Sequence, residues 1–144
     1  MSAPAFEFVD AVTSDLAFVA RGATPGEAFA AAAQALLAAT VEDPARVEER
    51  EVRRLELAEP DLELLLLRFL NELVYLKDAE LLLLRPRTVR VSLDSQARLE
   101  AELAGETMAP ERHRLAADVK AATAHGLSVA RTPGGWEARV TLDV

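Results

Sequence analysis

The chain has no cysteine, which excludes disulfides, zinc–thiolate sites and a thiol nucleophile. That absence fits a reducing cytosol, and a cytoplasmic location is expected. Lysine is scarce. Of 16 basic residues only Lys77 and Lys120 are not arginine, so each of the two merits separate attention. Positive charge is also in deficit: 24 acidic residues against 16 basic give a net charge of -8. A duplex-DNA binder needs a basic field over phosphates, so the deficit argues against one. The acidic surplus is compatible with a cation site or a basic protein partner. No stretch of Gly, Ser or Pro is long enough to be a linker, and no repeat of 20–50 residues appears. The leucine run at residues 81–84 is far too short to span a bilayer. Residues 1–8 have neither a basic nor an apolar leader segment, so no signal peptide is expected. GxGxxG, P-loop, HExxH and GxSxG motifs are all missing, which leaves nucleotide binding and serine-hydrolase chemistry without local support.

What is present suits one domain across residues 1–144, packed from about Phe6 onward. Hydrophobic residues make up 51% and charged residues 28%, a globular balance. Leu16, Phe18 and Ala20 alternate with Ala17, Val19 and Arg21, the period of a strand that Gly22 ends. Thr24-Pro25-Gly26-Glu27 then reads as a capping box with proline at the first helical position. The helix runs to about Thr40, and its many alanines allow close packing on a sheet. A charged strand at residues 51–57 precedes a second helix opened by Pro60 and Asp61. That helix bears a broad stripe of Leu62, Leu65, Leu66, Phe69, Leu70, Leu73 and Val74. Beyond Leu81 the pattern is β, with alternation at Val89, Val91, Leu93 and again at Leu99, Ala101, Leu103. A short strand is predicted at residues 118–123, and Leu127 and Val129 lead into a Thr132-Pro133-Gly134-Gly135 hairpin turn. The last strand carries Trp136, Ala138, Val140 and Leu142. The order β-α-β-α-β-β-β-β-β predicts an α+β fold with two helices on one face of a mostly antiparallel or mixed sheet.

Asp15 starts the first predicted strand and Asp143 nearly ends the last. If those strands are antiparallel neighbours, Asp15, Asp143 and the terminal carboxylate of Val144 converge on one rim. Three hard oxygen donors suit Ca²⁺ or Mg²⁺ better than zinc. Spacing alone does not separate this from two solvated carboxylates at strand ends. Alternation places Asp118, Lys120 and Ala122 on one strand face, with His125 following the strand. Lys120 reads either as a surface lysine or as a retained compact ammonium, and His125 as a surface or hydrogen-bonding residue. Glu72, between Leu70 and Leu73, reads as a solvated helix charge. His113 lies in a polar stretch and is expected to be exposed. Lys77, at the end of the second helix, is expected to tolerate alanine. Trp136 reads as a core anchor and not as a platform for stacking bases.

Several segments, taken in order, resemble the archease family. Thr13-Ser14-Asp15-Leu16 is similar to its N-terminal motif, and Thr24-Pro25-Gly26-Glu27-Ala28-Phe29 to the start of its first helix. Phe69-Leu70-Asn71-Glu72-Leu73-Val74-Tyr75-Leu76 resembles its second helix. Val119-Lys120-Ala121-Ala122-Thr123-Ala124-His125 resembles its lysine-to-histidine segment, and Gly134-Gly135-Trp136 with Leu142-Asp143-Val144 its closing strand. Val12 and Ala124 depart from the His and Tyr usual at those places. The resemblance implies a non-catalytic activator of the GTP-dependent RNA ligase that seals tRNA exon halves and repaired RNA ends. It implies promotion of ligase guanylylation and repeated turnover, with tRNA met only through the ligase. It further implies a divalent cation, Ca²⁺ before Mg²⁺ or Mn²⁺, at Asp15, Asp143 and a Val144 oxygen. Lys120 is then the functional basic residue, with Glu72 and His125 as lesser candidates. A stand-alone metal-dependent hydrolase and a general chaperone for RNA-processing enzymes are the competing expectations.

Overall fold

The computed structural model describes residues 5–10 and 15–144. Strands β1 (Phe6–Val9) and β2 (Asp15–Gly22) lead into helix α1 (Pro25–Thr40). A 3-10 turn at Pro44–Arg46 and strand β3 (Glu51–Glu59) follow, then helix α2 (Leu62–Glu80). Strands β4 (Leu82–Leu93), β5 (Ala97–Thr107), β6 (Ala121–Thr132) and β7 (Gly135–Asp143) complete the chain. The expected α+β class, two helices against antiparallel strands, is the class observed. The strands divide between two sheets, one ordered β1-β2-β7-β6 and the other β3-β5-β4, with every pairing antiparallel.

The capping box forms as the sequence predicts: the Glu27 N–H donates to Thr24 Oγ1 and the Thr24 N–H to Glu27 Oε2, both at 3.1 Å. Gly26 lets this first turn approach β4, since a Cβ there would stand 2.6 Å from the Val89 carbonyl oxygen. α1 touches β2 on one side and β4 on the other, so it lies between the sheets. That placement explains why Ala28, Ala31, Ala32, Ala33, Ala35 and Ala39 are all buried: both sides of the helix meet a sheet. α2 carries the larger side chains. Its Phe69 stacks on Phe29 of α1 at a ring separation of 6.4 Å, and both rings are fully buried.

β1 was not legible in the sequence, because four residues are too few for a periodic signal. The predicted strand at residues 118–123 begins instead at Ala121, and it continues to Thr132 as one strand whose pairing with β7 is interrupted between Thr123 and Ser128. Residues 118–120 are irregular, so alternation does not carry through them. Ala122 is buried while Asp118 and Lys120 are exposed, which separates the three residues expected on one face. Two further expectations are corrected by burial. His113 is 2% exposed, and Lys77, at 9%, is not a free surface lysine. Trp136 is half-buried against the core, with the Arg131 guanidinium 5.7 Å from its ring.

Candidate functional site at the β2–β7 rim

β2 and β7 are antiparallel neighbours in full register, and the register sets Asp15 directly opposite Asp143. Their neighbours Leu16 and Leu142 face the core, so the two carboxylates lie on the outer face of the sheet. Directly opposed residues of an antiparallel pair have Cβ atoms about 4.5–5.5 Å apart, where like charges destabilise. Neither carboxylate forms an ion pair or a side-chain hydrogen bond with another described residue. Asp143 also pairs with Ala121 of β6, and its carbonyl oxygen accepts the Lys120 N–H at 2.8 Å. Lys120 therefore stands at the same end of the sheet with its side chain exposed.

The remaining candidates come less close. His125 lies within the interrupted part of β6, not after a strand. The next residue, Gly126, has φ +67, a conformation that favours glycine, and a Cβ there would lie 3.8 Å from Thr141 Oγ1. Thr141 shares the outer face with Asp143, two residues along β7, so the His125 segment passes over that face. Glu72 belongs to the helix layer, across the sheet from the carboxylates. It is half-buried and makes no ion pair with a described residue. Its neighbour Asn71 does the positioning: the Asn71 amide donates to the Ala122 carbonyl oxygen at 3.0 Å and accepts the Ala122 N–H at 2.9 Å. This two-point clamp fixes the start of β6, and hence the Lys120 backbone, against α2. Its only signal in the sequence is one amide inside a leucine-rich helix. Val12, Thr13 and Ser14 lie outside the described residues.

A polar cluster that the sequence did not reveal lies at the far end of β5. The Ala109 N–H donates to His113 Nδ1 at 2.9 Å, which leaves Nε2 to face Glu106 Oε2 at 3.1 Å. Glu106 also accepts the Glu48 N–H at 2.6 Å and pairs with Arg112. Burial pushes the Glu106 carboxyl up, but the Glu48 N–H, His113 and Arg112 outweigh it and hold it below the ordinary carboxylate range. Both ring nitrogens and both carboxylate oxygens are engaged within the protein, so the cluster fastens together the segments that carry it.

Among the described residues no three His, Cys, Asp or Glu side chains gather closely enough to hold a metal. A cation at the rim would need Asp15, Asp143 and an oxygen of Val144, the residue next to Asp143. That donor set is all hard oxygen and fits Ca²⁺, Mg²⁺ or Mn²⁺ in kind. A larger cleft of about 520 Å³ lies elsewhere, between the start of α1 and the end of β4, and brings none of these groups together.

The sequence profile of the Archease protein family matches residues 6–144. "Protein archease" of Thermococcus gammatolerans is 38% identical over 134 residues, covering 92% of this chain and 94% of the relative. "Protein archease" of Methanosarcina mazei is 33% identical over 134 residues, covering 92% and 91%. The fold is similar to the solution structure of protein 1598 of Methanobacterium thermoautotrophicum, with a TM-score of 0.84 at 34% identity. That match covers 97% of this chain and 99% of the other. The chain belongs to the archease family.

Proposed function

We propose that this protein activates a GTP-dependent RNA ligase of tRNA splicing and RNA repair, in the cytoplasm, by promoting guanylylation of the ligase and repeated turnover. It acts as a protein partner and not as the catalyst, and RNA is held by the ligase. The observation that supports this reading is the direct opposition of Asp15 and Asp143, the two positions that the family resemblance assigns to a cation. A divalent cation at that rim supplies positive charge toward triphosphate oxygens. Asp15 and Asp143 hold and orient it, with an oxygen of Val144 as third donor. Lys120, exposed beside Asp143, adds a compact ammonium for a phosphate or for a partner carboxylate. An acidic chain is a poor RNA ligand by itself, which is why the contact falls to protein.

The test is guanylylation of the same organism's RNA ligase, with and without this protein, over several turnovers. Lys120→Ala should keep the fold and lose activation, and Lys120→Arg should retain part of it. Arg90→Ala, exposed on the other sheet, is the control in place of the buried Lys77. Equal activation by Lys120→Ala and Arg90→Ala would remove Lys120 from the site. Turnover of phosphoesters or nucleotides by the purified protein alone would favour a hydrolase instead.

A further inference from the structure

The C-terminal end of α2 opens onto a groove of about 260 Å³, lined by Lys77, Asp78, Leu81, Met108, Leu115 and Asp118 among others. Two of its leucines lack an ordinary reason to be there. Leu81 caps α2 in the left-handed region, φ 57 and ψ 30, and is the one described residue other than glycine with positive φ. Glycine or asparagine would take that conformation at lower cost. Leu81 gains little from burial in return, being 52% exposed, and Leu115 across the groove is 55% exposed.

The groove is held open by backbone bonds. The Met108 N–H donates to the Leu81 carbonyl oxygen at 2.7 Å, and Leu115 bridges Val41. The Ala116 N–H donates to Thr40 and the Glu42 N–H to Arg114, both at 2.9 Å. A surface fixed in this way loses little entropy when it is covered. Its charge is defined too. Lys77 Nζ is 2.7 Å from Asp78 and 3.9 Å from Asp118, so one cation stands against two carboxylates, and Asp118 is 79% exposed.

We infer that this groove docks an apolar side chain carried on a basic segment of the partner protein. The inference rests on the reading that the chain works by touching a partner. It adds where, and with what chemistry. Asp118 is two residues from Lys120, at most about 7 Å along the chain, and the Lys120 N–H bonds the Asp143 carbonyl oxygen, so the groove adjoins the end of the sheet that carries the rim. A segment seated between Leu81 and Leu115 would hold the partner beside the rim.

The experiment titrates the full-length protein into the same organism's RNA ligase by calorimetry, with guanylylation followed in parallel. Leu81→Asn relieves the left-handed leucine, so it should melt no lower than the wild type yet bind about tenfold more weakly. Leu115→Ser and Asp118→Lys should weaken binding to a similar degree, and wild-type affinity should fall as salt rises. Leu93→Ser, at the exposed end of β4, should bind normally. A wild type that activates while both leucine variants bind as tightly as it does would overturn the groove and leave the proposed function standing. A wild type that neither binds nor activates would overturn both. Self-association that Leu115→Ser abolishes would assign the groove to a second copy and overturn the inference as well.

Discussion

At the scale of single residues, the register sets two like charges, Asp15 and Asp143, opposite each other on neighbouring strands. Asp143→Asn removes one of the two opposed charges, so without metal the variant should melt at or slightly above the wild-type temperature. The gain should be no more than about 1 kcal/mol. Added Ca²⁺ should raise the melting temperature of the wild type and not of the variant. A metal-free loss of several kcal/mol would make Asp143 a structural residue. The opposition of Asp15 and Asp143 is legible only on the condition that their strands pair: polarity then brings the start of one strand to the end of its antiparallel neighbour, and the structure supplies the pairing. The settings of His113 and Lys77 are not legible. Their surroundings come from Glu48, Glu106 and Asp118, residues on other segments, and the polar stretch around His113 looks solvated until those partners are known.

Among the elements, the helices were the most readable, since capping chemistry and periodicity are local. The Thr24 box and the Asp61 cap, whose carboxylate accepts the Leu64 N–H at 2.8 Å, start both helices where the sequence places them. The strands are less legible. Alternation failed at residues 118–120, where the chain answers to the Asn71 clamp and to the Asp143 backbone and not to a ladder. The division into two sheets carries no local signature, because strand partners are chosen across the whole chain. The apolar stripe of α2 makes its own prediction. Phe69 is fully buried against Phe29, and Phe69→Ala should cost about 3–5 kcal/mol in chemical denaturation. A cost below about 1 kcal/mol would mean that the helix interface repacks freely.

For the whole molecule, the Glu106 cluster fastens three separated segments, around residues 48, 106 and 112–113. The folded carboxyl sits below its unfolded value, so the unfolded chain binds the proton more readily. Its contribution is therefore complete above the unfolded value of about 4.3 and drains away as pH falls through the depressed folded value. Glu106→Gln should be less stable than the wild type at pH 7. The gap between the two should narrow as pH falls below about 4.3. A gap that stays constant down to pH 2 would show that the charge contributes nothing to the fastening.

The alanine-rich α1 between the two sheets has a consequence for how this chain can change over evolutionary time. Neither sheet owns an interior, because the same helix serves as the inner wall of both. A larger side chain at a buried position of α1, such as Ala32 or Ala35, pushes against one sheet or the other, and a polar one there has no water to meet, unlike Glu27 and Gln34 on the helix's outward stripe. The molecule thus offers no seam along which half of it could be swapped, duplicated or lost while the other half kept a core.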